Sequence, residues 1–223
     1  MPSLTNLIDV VRSQTLAETD DVSDANLTLF LNQGIRRLST MFRWPWLEAS
    51  YDVDVVAATA SYALPSDFRR LFVVKDADAR ITLTRLTLEE ALERWGGDPP
   101  SGSQAHWYYV WNESIYLLPV PDTTESAAYT LYYQKAPTLL SAGSDTPQFL
   151  SEFHLILAYY ASARVWEHEE DFEKVDALDG RFRSEAEAMA RYYLKREEEF
   201  PLVYGDGVRP NLRSANNMPF LDG

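Results

Sequence analysis

Cysteine is absent from all 223 residues of the sequence. This absence excludes disulfide bonds, thiolate nucleophiles and cysteine-ligated zinc, so stability must come from packing or from partner chains. The sequence also lacks an apolar run of about eighteen residues, and its start has neither a basic leader nor a continuous apolar segment. We therefore expect no transmembrane helix, no signal peptide and no contact with a membrane.

Basic residues are also scarce. The chain has 20 Lys and Arg against 34 Asp and Glu, which gives a net charge of −14. Proteins that grip nucleic acid do so largely through Lys and Arg contacts to phosphate, which release bound counterions. The composition therefore predicts a protein that does not bind DNA tightly.

A long amphipathic segment is the strongest pattern present. Its apolar residues include Leu27, Leu31, Ile35 and Leu38, which recur three and four positions apart as on one face of a helix. Ser23 or Asp24 can cap the start of this helix, and Pro45 restricts the preceding residue to extended geometry. The rings of Trp44 and Trp46 that follow either cover the core or form a stacking platform for a sugar or a nucleobase.

The predicted fold class is α+β, mainly a bundle of about four helices with one small inserted antiparallel β-sheet and an extended C-terminal arm. The helices are predicted over residues 4–15, 24–43, 149–167 and 172–199, and the β insertion over 48–135. Thr146 and Pro147 are suited to the start of the third helix. Neither boundary of the insertion has a long linker, so residues 1–200 are expected to form one domain.

Local signals mark several elements inside the insertion. Residues 48–55 alternate with the two-residue period of a half-exposed strand, and residues 68–75 form a further strand that 80–85 would continue. Thr87 and Glu90 match a capping box that begins a short helix. The aromatic run that starts at His106 predicts a hairpin with its turn near 111–113, and residues 127–137 predict one more strand.

The carboxylates and histidines show no catalytic pattern. Asp52 with Asp54, and Asp76 with Asp78, are expected on the solvated surface, whereas paired acid catalysts need different burial. The three histidines are far apart in sequence. His168 with Glu169 and Glu170 is a weak candidate for a divalent-ion site. We predict no catalytic residues, no cofactor and no metal site, and hence no enzyme.

Trp107, Tyr109 and Trp111 are candidates for an interface. Alternation along a strand places these three side chains on one face and Tyr108 on the other. Three interpretations of the outer rings stay open: part of the core, a subunit interface, or a face that binds a carbohydrate or peptide.

Residues 201–223 differ from the rest of the chain. Counted from Phe200, the segment has three prolines, three glycines and three asparagines, and its two aspartates and two arginines cancel. It is nevertheless richer in apolar residues than ordinary disordered tails. We predict an extended arm that docks on another chain; folding back onto its own bundle and a free tail are the alternatives. The predicted partner-binding residues of the arm are Phe200, Leu202, Val203, Tyr204, Val208, Leu212, Met218, Phe220 and Leu221.

Three short motifs in this order of elements resemble the head-to-tail adaptor (connector) proteins of tailed bacteriophages, particularly the podophage type. They are Trp44-Pro45-Trp46, the stretch from Leu64 to Leu71 (LPSDFRRL), and Leu117-Leu118-Pro119 near Tyr132-Tyr133. The resemblance covers about residues 4–200.

This resemblance implies a structural virion protein at the portal vertex, assembled in the host cytoplasm. It implies a homo-oligomeric, dodecameric ring that contacts the portal protein above and tail or nozzle proteins below. Genome DNA would pass through the ring without specific binding. The alternatives are a carbohydrate-active or carbohydrate-binding protein associated with the tail, and a soluble intracellular regulator that binds a small ligand on its sheet.

Overall fold

Five α-helices form within residues 2–17 and 21–199, the part of the chain that the computed structural model describes. They are α1 (Leu4–Thr15), α2 (Asp24–Met41), α3 (Leu88–Trp95), α4 (Leu155–His168) and α5 (Phe172–Glu199). The predicted bounds of α1 and α5 are confirmed, and α5 continues through Gly180 as expected from the modest cost of one glycine in a helix.

The first two helices begin at serine caps. The Ser3 hydroxyl oxygen accepts the N–H of Asn6 at 3.4 Å, and the Asn6 side chain accepts the N–H of Ser3 at 3.0 Å. Ser23 caps α2 by accepting the N–H of Asn26 at 3.3 Å, which confirms the first of the two predicted cap residues. These bonds satisfy backbone donors that the first turn of a helix leaves unpaired.

Helix α2 ends at Met41, two residues before the predicted end. The backbone of Phe42 is extended, with φ −141° and ψ 167°. The carbonyl of Leu38, which the N–H of residue 42 would bond in a continuing helix, instead accepts the indole N–H of Trp44 at 2.6 Å. The side chain of the following corner therefore replaces the last helical hydrogen bond.

Helix α4 begins at Leu155, although the sequence predicts a start at 149. Leu150 is extended, with ψ 136°, and residues 151–153 form one short 3₁₀ turn. The carbonyl of Phe149 lies 2.8 Å from Nε2 of the buried His154, so a side chain occupies it in place of a helical N–H. The expected cap at Thr146 and helix start at Pro147 are therefore wrong.

Helix α4 lies at the centre of the helical region and contacts α1, α2 and α5. Leu157, Ala158 and Ala161 are fully buried on it. The approach of α2 is close: a methyl group added at Gly34 would stand 3.3 Å from the side chain of Tyr160. Small residues at these positions let the helix axes approach.

The middle of the chain forms nine strands in three sheets. The strands are β1 (Glu48–Val55), β2 (Ser61–Ala63), β3 (Phe68–Asp76), β4 (Thr84–Arg85), β5 (Ser101–Gly102), β6 (Trp107–Trp111), β7 (Ser114–Leu118), β8 (Val120–Pro121) and β9 (Glu125–Lys135). The first sheet has the order β1-β9-β3 and is antiparallel, the second has the order β2-β7-β6-β4, and β5 with β8 makes a third.

The predicted fold, about four helices around one small inserted sheet, is therefore wrong, while the broad α+β class is right. The chain alternates between two sheets: β1, β3 and β9 belong to the first, and β2, β4, β6 and β7 to the second. Their inner faces share one core. Its largest aliphatic members are Val53, Val55, Val74, Leu83, Ile115, Leu117 and Leu131. Hydrophobic alternation gives the face of a strand but not the sheet to which it belongs.

The predicted continuation of β3 through residues 80–85 is also wrong. The chain turns after β3, and Arg80 has a positive φ of 55°, which interrupts an extended strand. Only Thr84 and Arg85 form a strand there, and they pair in parallel with β6 of the second sheet.

The helical region and the sheets meet at a small contact that we call the joint, formed by Arg43, Glu48 and Phe72. The guanidinium of Arg43 lies 4.0 Å from the centre of the Phe72 ring and 2.8 Å from a carboxylate oxygen of Glu48. Because Arg43 follows α2 while Phe72 lies on β3, this side chain connects the two parts of the molecule.

Candidate interaction surfaces

The outer side of the second sheet has a row of aromatic side chains that we call the aromatic face: Trp107, Tyr109, Trp111 and Tyr116. Tyr109 and Tyr116 are directly opposite on β6 and β7, and their rings stack 4.6 Å apart at an angle of 5°. Burial raises the pKa of Tyr109 above its ordinary value. Tyr108 points the other way and is buried in the core, as strand alternation predicts.

The two ends of the aromatic face differ. At one end Trp107 contacts Trp95 of α3 at 5.6 Å between ring centres, and the Arg94 guanidinium lies 5.1 Å from the Trp107 ring. At the other end the ring of Trp111 is 55% exposed. The open end presents a large apolar ring next to the hairpin turn, and its role as an interface or as a ligand platform stays a prediction.

The tryptophan corner after α2 is part of the core. Trp44 is 1% exposed and lies within about 6 Å of the rings of Phe42 and Tyr193. Trp46 is partly buried and contacts Phe149, with ring centres 5.4 Å apart. Of the two interpretations of this corner, the structure supports core covering for Trp44, since a buried ring has no free face for stacking.

Asp52 and Asp54 lie on the outer side of the first sheet, as predicted. Asp52 accepts the hydroxyl of Thr130 at 2.8 Å. Asp54 accepts the backbone N–H of Ala127 at 2.7 Å and the hydroxyl of Ser126 at 3.0 Å, and these bonds lower the pKa of Asp54. A general acid needs the opposite shift, so Asp54 is not suited to that role.

Asp76 differs from its predicted position on the surface, because its residue is only 6% exposed. One carboxylate oxygen accepts the N–H of Ala79 at 2.7 Å and the other accepts the amide of Gln104 at 3.1 Å. It therefore holds the turn after β3 in place. The available sequence signal is its position at the end of a strand, where Asp often bonds the backbone of a turn.

The described part of the chain contains no cluster of side chains suited to binding a metal ion. No group of three or more His, Asp or Glu side chains lies close enough together there to hold an ion, which includes His168 with its two neighbouring glutamates. The ring of His154 is buried and its nitrogens lie 3.3 Å from the carbonyl of Pro2 and 2.8 Å from that of Phe149. This histidine joins the start of the chain to the loop before α4.

Arg164 on α4 is a polar centre that the sequence pattern does not reveal, because its position belongs to the apolar stripe of the helix. It forms ion pairs with Glu167 at 2.7 Å and with Asp179 of α5 at 2.9 Å. Cavities of about 350 Å³ and 320 Å³ lie on its two sides, and Arg37 and Arg183 also line the smaller one. The arrangement fixes α5 against α4 and leaves a cationic groove beside α2.

No helix among residues 2–17 and 21–199 has the length and apolar content that crossing a bilayer requires.

All nine predicted contact residues of the arm, Phe200 to Leu221, lie outside the described residues, so their role stays a prediction.

Comparison with known proteins gives one family. The model described as "SU10 adaptor protein" matches residues 2–210, which is nearly the whole chain. No curated protein matches the sequence.

Proposed function

The chain belongs to the SU10 adaptor protein family, and we propose that it joins the portal to the tail of a bacteriophage virion. The resemblance to phage head-to-tail adaptors is confirmed by this match, and the protein is a phage structural adaptor. A structural adaptor family implies a role in the virion that is not enzymatic. The match over residues 2–210 is the observation that carries the proposal.

In the proposed assembly, copies of the chain form a ring, dodecameric as in the adaptors it resembles, between portal protein above and tail or nozzle proteins below. The ring would form in the host cytoplasm and remain at the portal vertex. The net charge of −14 supports this role, because an acidic channel repels phosphate and lets the genome slide during ejection. A basic channel would retain DNA.

The arm of residues 201–223 is proposed to dock on the portal or on a neighbouring subunit. Its prolines and glycines oppose an isolated helix or strand, so its apolar side chains need pockets on another chain. Ordering such a segment costs conformational entropy that many small contacts must offset. Ordering would therefore accompany assembly.

Pull-down with the purified portal of the same phage tests this function. The full chain is expected to bind the portal, and a chain that ends at Phe200 is expected to melt at nearly the same temperature but to bind much more weakly. Failure of the full chain to bind the portal would contradict the adaptor function. Full binding by the shortened chain would remove the arm from the portal contact.

A further inference from the structure

The first sheet has two outer strands of opposite charge. Strand β1 carries Glu48, Asp52 and Asp54 and no basic residue, whereas β3 carries Arg69, Arg70 and Lys75. The single acid of β3, Asp76, is buried and bonded within its own turn. Both strands have β9 on one side only. On the second side of β3, residues 81–83 pair with residues 74–76, so this edge is without a partner only over the earlier part of the strand, where Arg69 and Arg70 lie.

The charged side chains of β1 and β3 that could meet a second copy of the chain are exposed to solvent. Asp52, Asp54, Arg69 and Arg70 are all open to solvent, and none of the four takes part in an ion pair within the described residues. Acids outnumber bases in this chain by 14, so two adjacent arginines without a carboxylate partner stand out from the composition. Charged edge strands also resist uncontrolled pairing, but charges of either single sign would serve that purpose.

The direction of the strands decides which contact between copies is possible. Strands β1 and β3 are each antiparallel to β9 and therefore run parallel to each other. A rotation about an axis roughly along the strands keeps this direction, so it can place β1 of one copy beside β3 of the next. A two-fold contact would instead bring like edges together, acid against acid or base against base.

We propose that neighbouring copies of this chain contact each other through these two edges, with Asp52 and Asp54 of one copy facing Arg69 and Arg70 of the next. The contact is head-to-tail, and its repetition gives a ring where the rotation between copies closes, as the proposed ring requires. This inference rests on the proposed ring and names the surfaces that build it. Side chains rather than a continuous ladder make the contact, because register shifts interrupt β3 near Arg70 and Val73.

A pair of charge-reversed chains tests the contact. In the first chain Asp52→Arg and Asp54→Arg make both edges basic, and in the second Arg69→Asp and Arg70→Asp make both edges acidic. Each chain alone is expected to lose ring formation on the portal, with subunit association weakened about tenfold or more. An equal mixture is expected to restore the ring, because each edge then meets an opposite charge. Mass photometry of the adaptor and portal complexes counts the subunits.

The matched control is Glu89→Arg with Glu93→Arg on α3, which changes the net charge as much but lies outside the first sheet. It is expected to assemble like the original chain. If melting shows that loss of the Asp54 hydrogen bonds unfolds the first chain, Ser50→Arg with Asp52→Arg replaces it, since Asp54 then keeps its bonds to Ser126 and Ala127. Arg69 and Arg70, which the second chain replaces, form no ion pair with any residue of ranges 2–17 and 21–199.

The outcomes separate this contact from the adaptor function. Rings formed by either reversed chain alone, or folded chains that fail to assemble even when mixed, would overturn the edge contact while leaving portal binding by the original chain intact. The second result would assign the edges to a portal surface or to DNA. An original chain that binds no portal would instead reject the proposed function. Raising the salt concentration is expected to weaken the original ring and the mixed ring alike.

Discussion

The helical region and the sheet region of this protein use different side chains in their cores. The helical core is built mainly from leucine, isoleucine and alanine around α4, with a few aromatic rings such as Trp44 and Phe182, and two buried hydroxyls, of Thr15 and Ser39, bond carbonyls of their own helices. The sheet region buries Tyr129 and Tyr133, whose hydroxyls bond groups on distant parts of the chain. Aliphatic side chains make up most of the helical core, whereas buried tyrosine hydroxyls also bond distant groups in the sheet region.

Tyr133 illustrates the second arrangement. Its hydroxyl donates to a carboxylate oxygen of Asp67 at 2.9 Å, and burial together with this bond raises the pKa of Tyr133 to about 12. The bond ties β9 to the turn that precedes β3. A tyrosine in such a place contributes apolar area and also selects one register, which a leucine cannot do. The following predictions test this difference between the two regions.

Truncation of Trp44, at the end of the helical core, should lower the stability of the protein most. Trp44→Ala is expected to lower the free energy of unfolding by about 3–5 kcal/mol, since it leaves a cavity and frees the carbonyl of Leu38. Urea denaturation followed by circular dichroism measures the change. The matched control is Trp111→Ala at the exposed end of the aromatic face, expected within about 0.5 kcal/mol of the original. Equal stabilities of the two variants would contradict the core role of Trp44.

Removal of the Tyr129 hydroxyl from the sheet core should cause the next largest loss of stability. Tyr129→Phe leaves the buried N–H of Ala105 without the oxygen that accepts it at 2.8 Å, which is expected to cost about 1–3 kcal/mol. Tyr108→Phe is the control, because the described part of the chain shows no hydrogen bond to its hydroxyl. If both variants unfold at the same denaturant concentration, the hydroxyl of Tyr129 does not help to hold the sheets.

Two glycines in the helical region should respond in opposite directions to alanine. At Gly180 nothing lies within 4 Å of an added methyl group, so Gly180→Ala is expected to raise stability by about 1 kcal/mol through helix propensity. At Gly34 the methyl group would meet Tyr160 at 3.3 Å, and Gly34→Ala is expected to lower stability by about 1 kcal/mol. Thermal melting compares them, and a rise for both would show that α2 and α4 have room to separate.

Loss of the joint should change the free energy of unfolding less than any of the substitutions above other than the two controls. Arg43→Ala removes a cation–π contact with Phe72 and an ion pair with Glu48, both of which involve a largely exposed side chain. The expected loss is about 0.5–1 kcal/mol. A double-mutant cycle with Phe72→Leu isolates the coupling between the two regions. A coupling of zero would mean that the contact between Arg43 and Phe72 does not help to hold the sheets to the helices.

Local sequence signals correctly predicted the structure where the geometry of an element depends only on residues close to it in the chain. The capping box of Thr87 and Glu90 is present in α3, with bonds of 2.7 and 3.2 Å. The hairpin turn also lies where expected: Asn112 and Glu113, both with positive φ, join β6 to β7 as a two-residue turn does.

Distant partners could not be predicted in the same way. The assignment of β3 to one sheet and β4 to another depends on pairing with β9 and β6, which come much later in the chain. The burial of Asp76 depends on Gln104, and the late start of α4 depends on the ring of His154. The family was predictable from three short motifs, whereas the opposite charges of β1 and β3 gain meaning only when the sheet order is known.

The central position of α4 has a consequence for synthesis. Helices α1 and α2 bury their apolar stripes against it, yet α4 begins more than 100 residues after α2 ends. At about 5–20 residues per second, a ribosome needs about 6–25 s to deliver the missing helix. The strands from β1 to β9 emerge during this interval and can pair, while the first two helices still lack their central partner. In the nascent chain, α1 and α2 are therefore the segments that depend most on protection by chaperones.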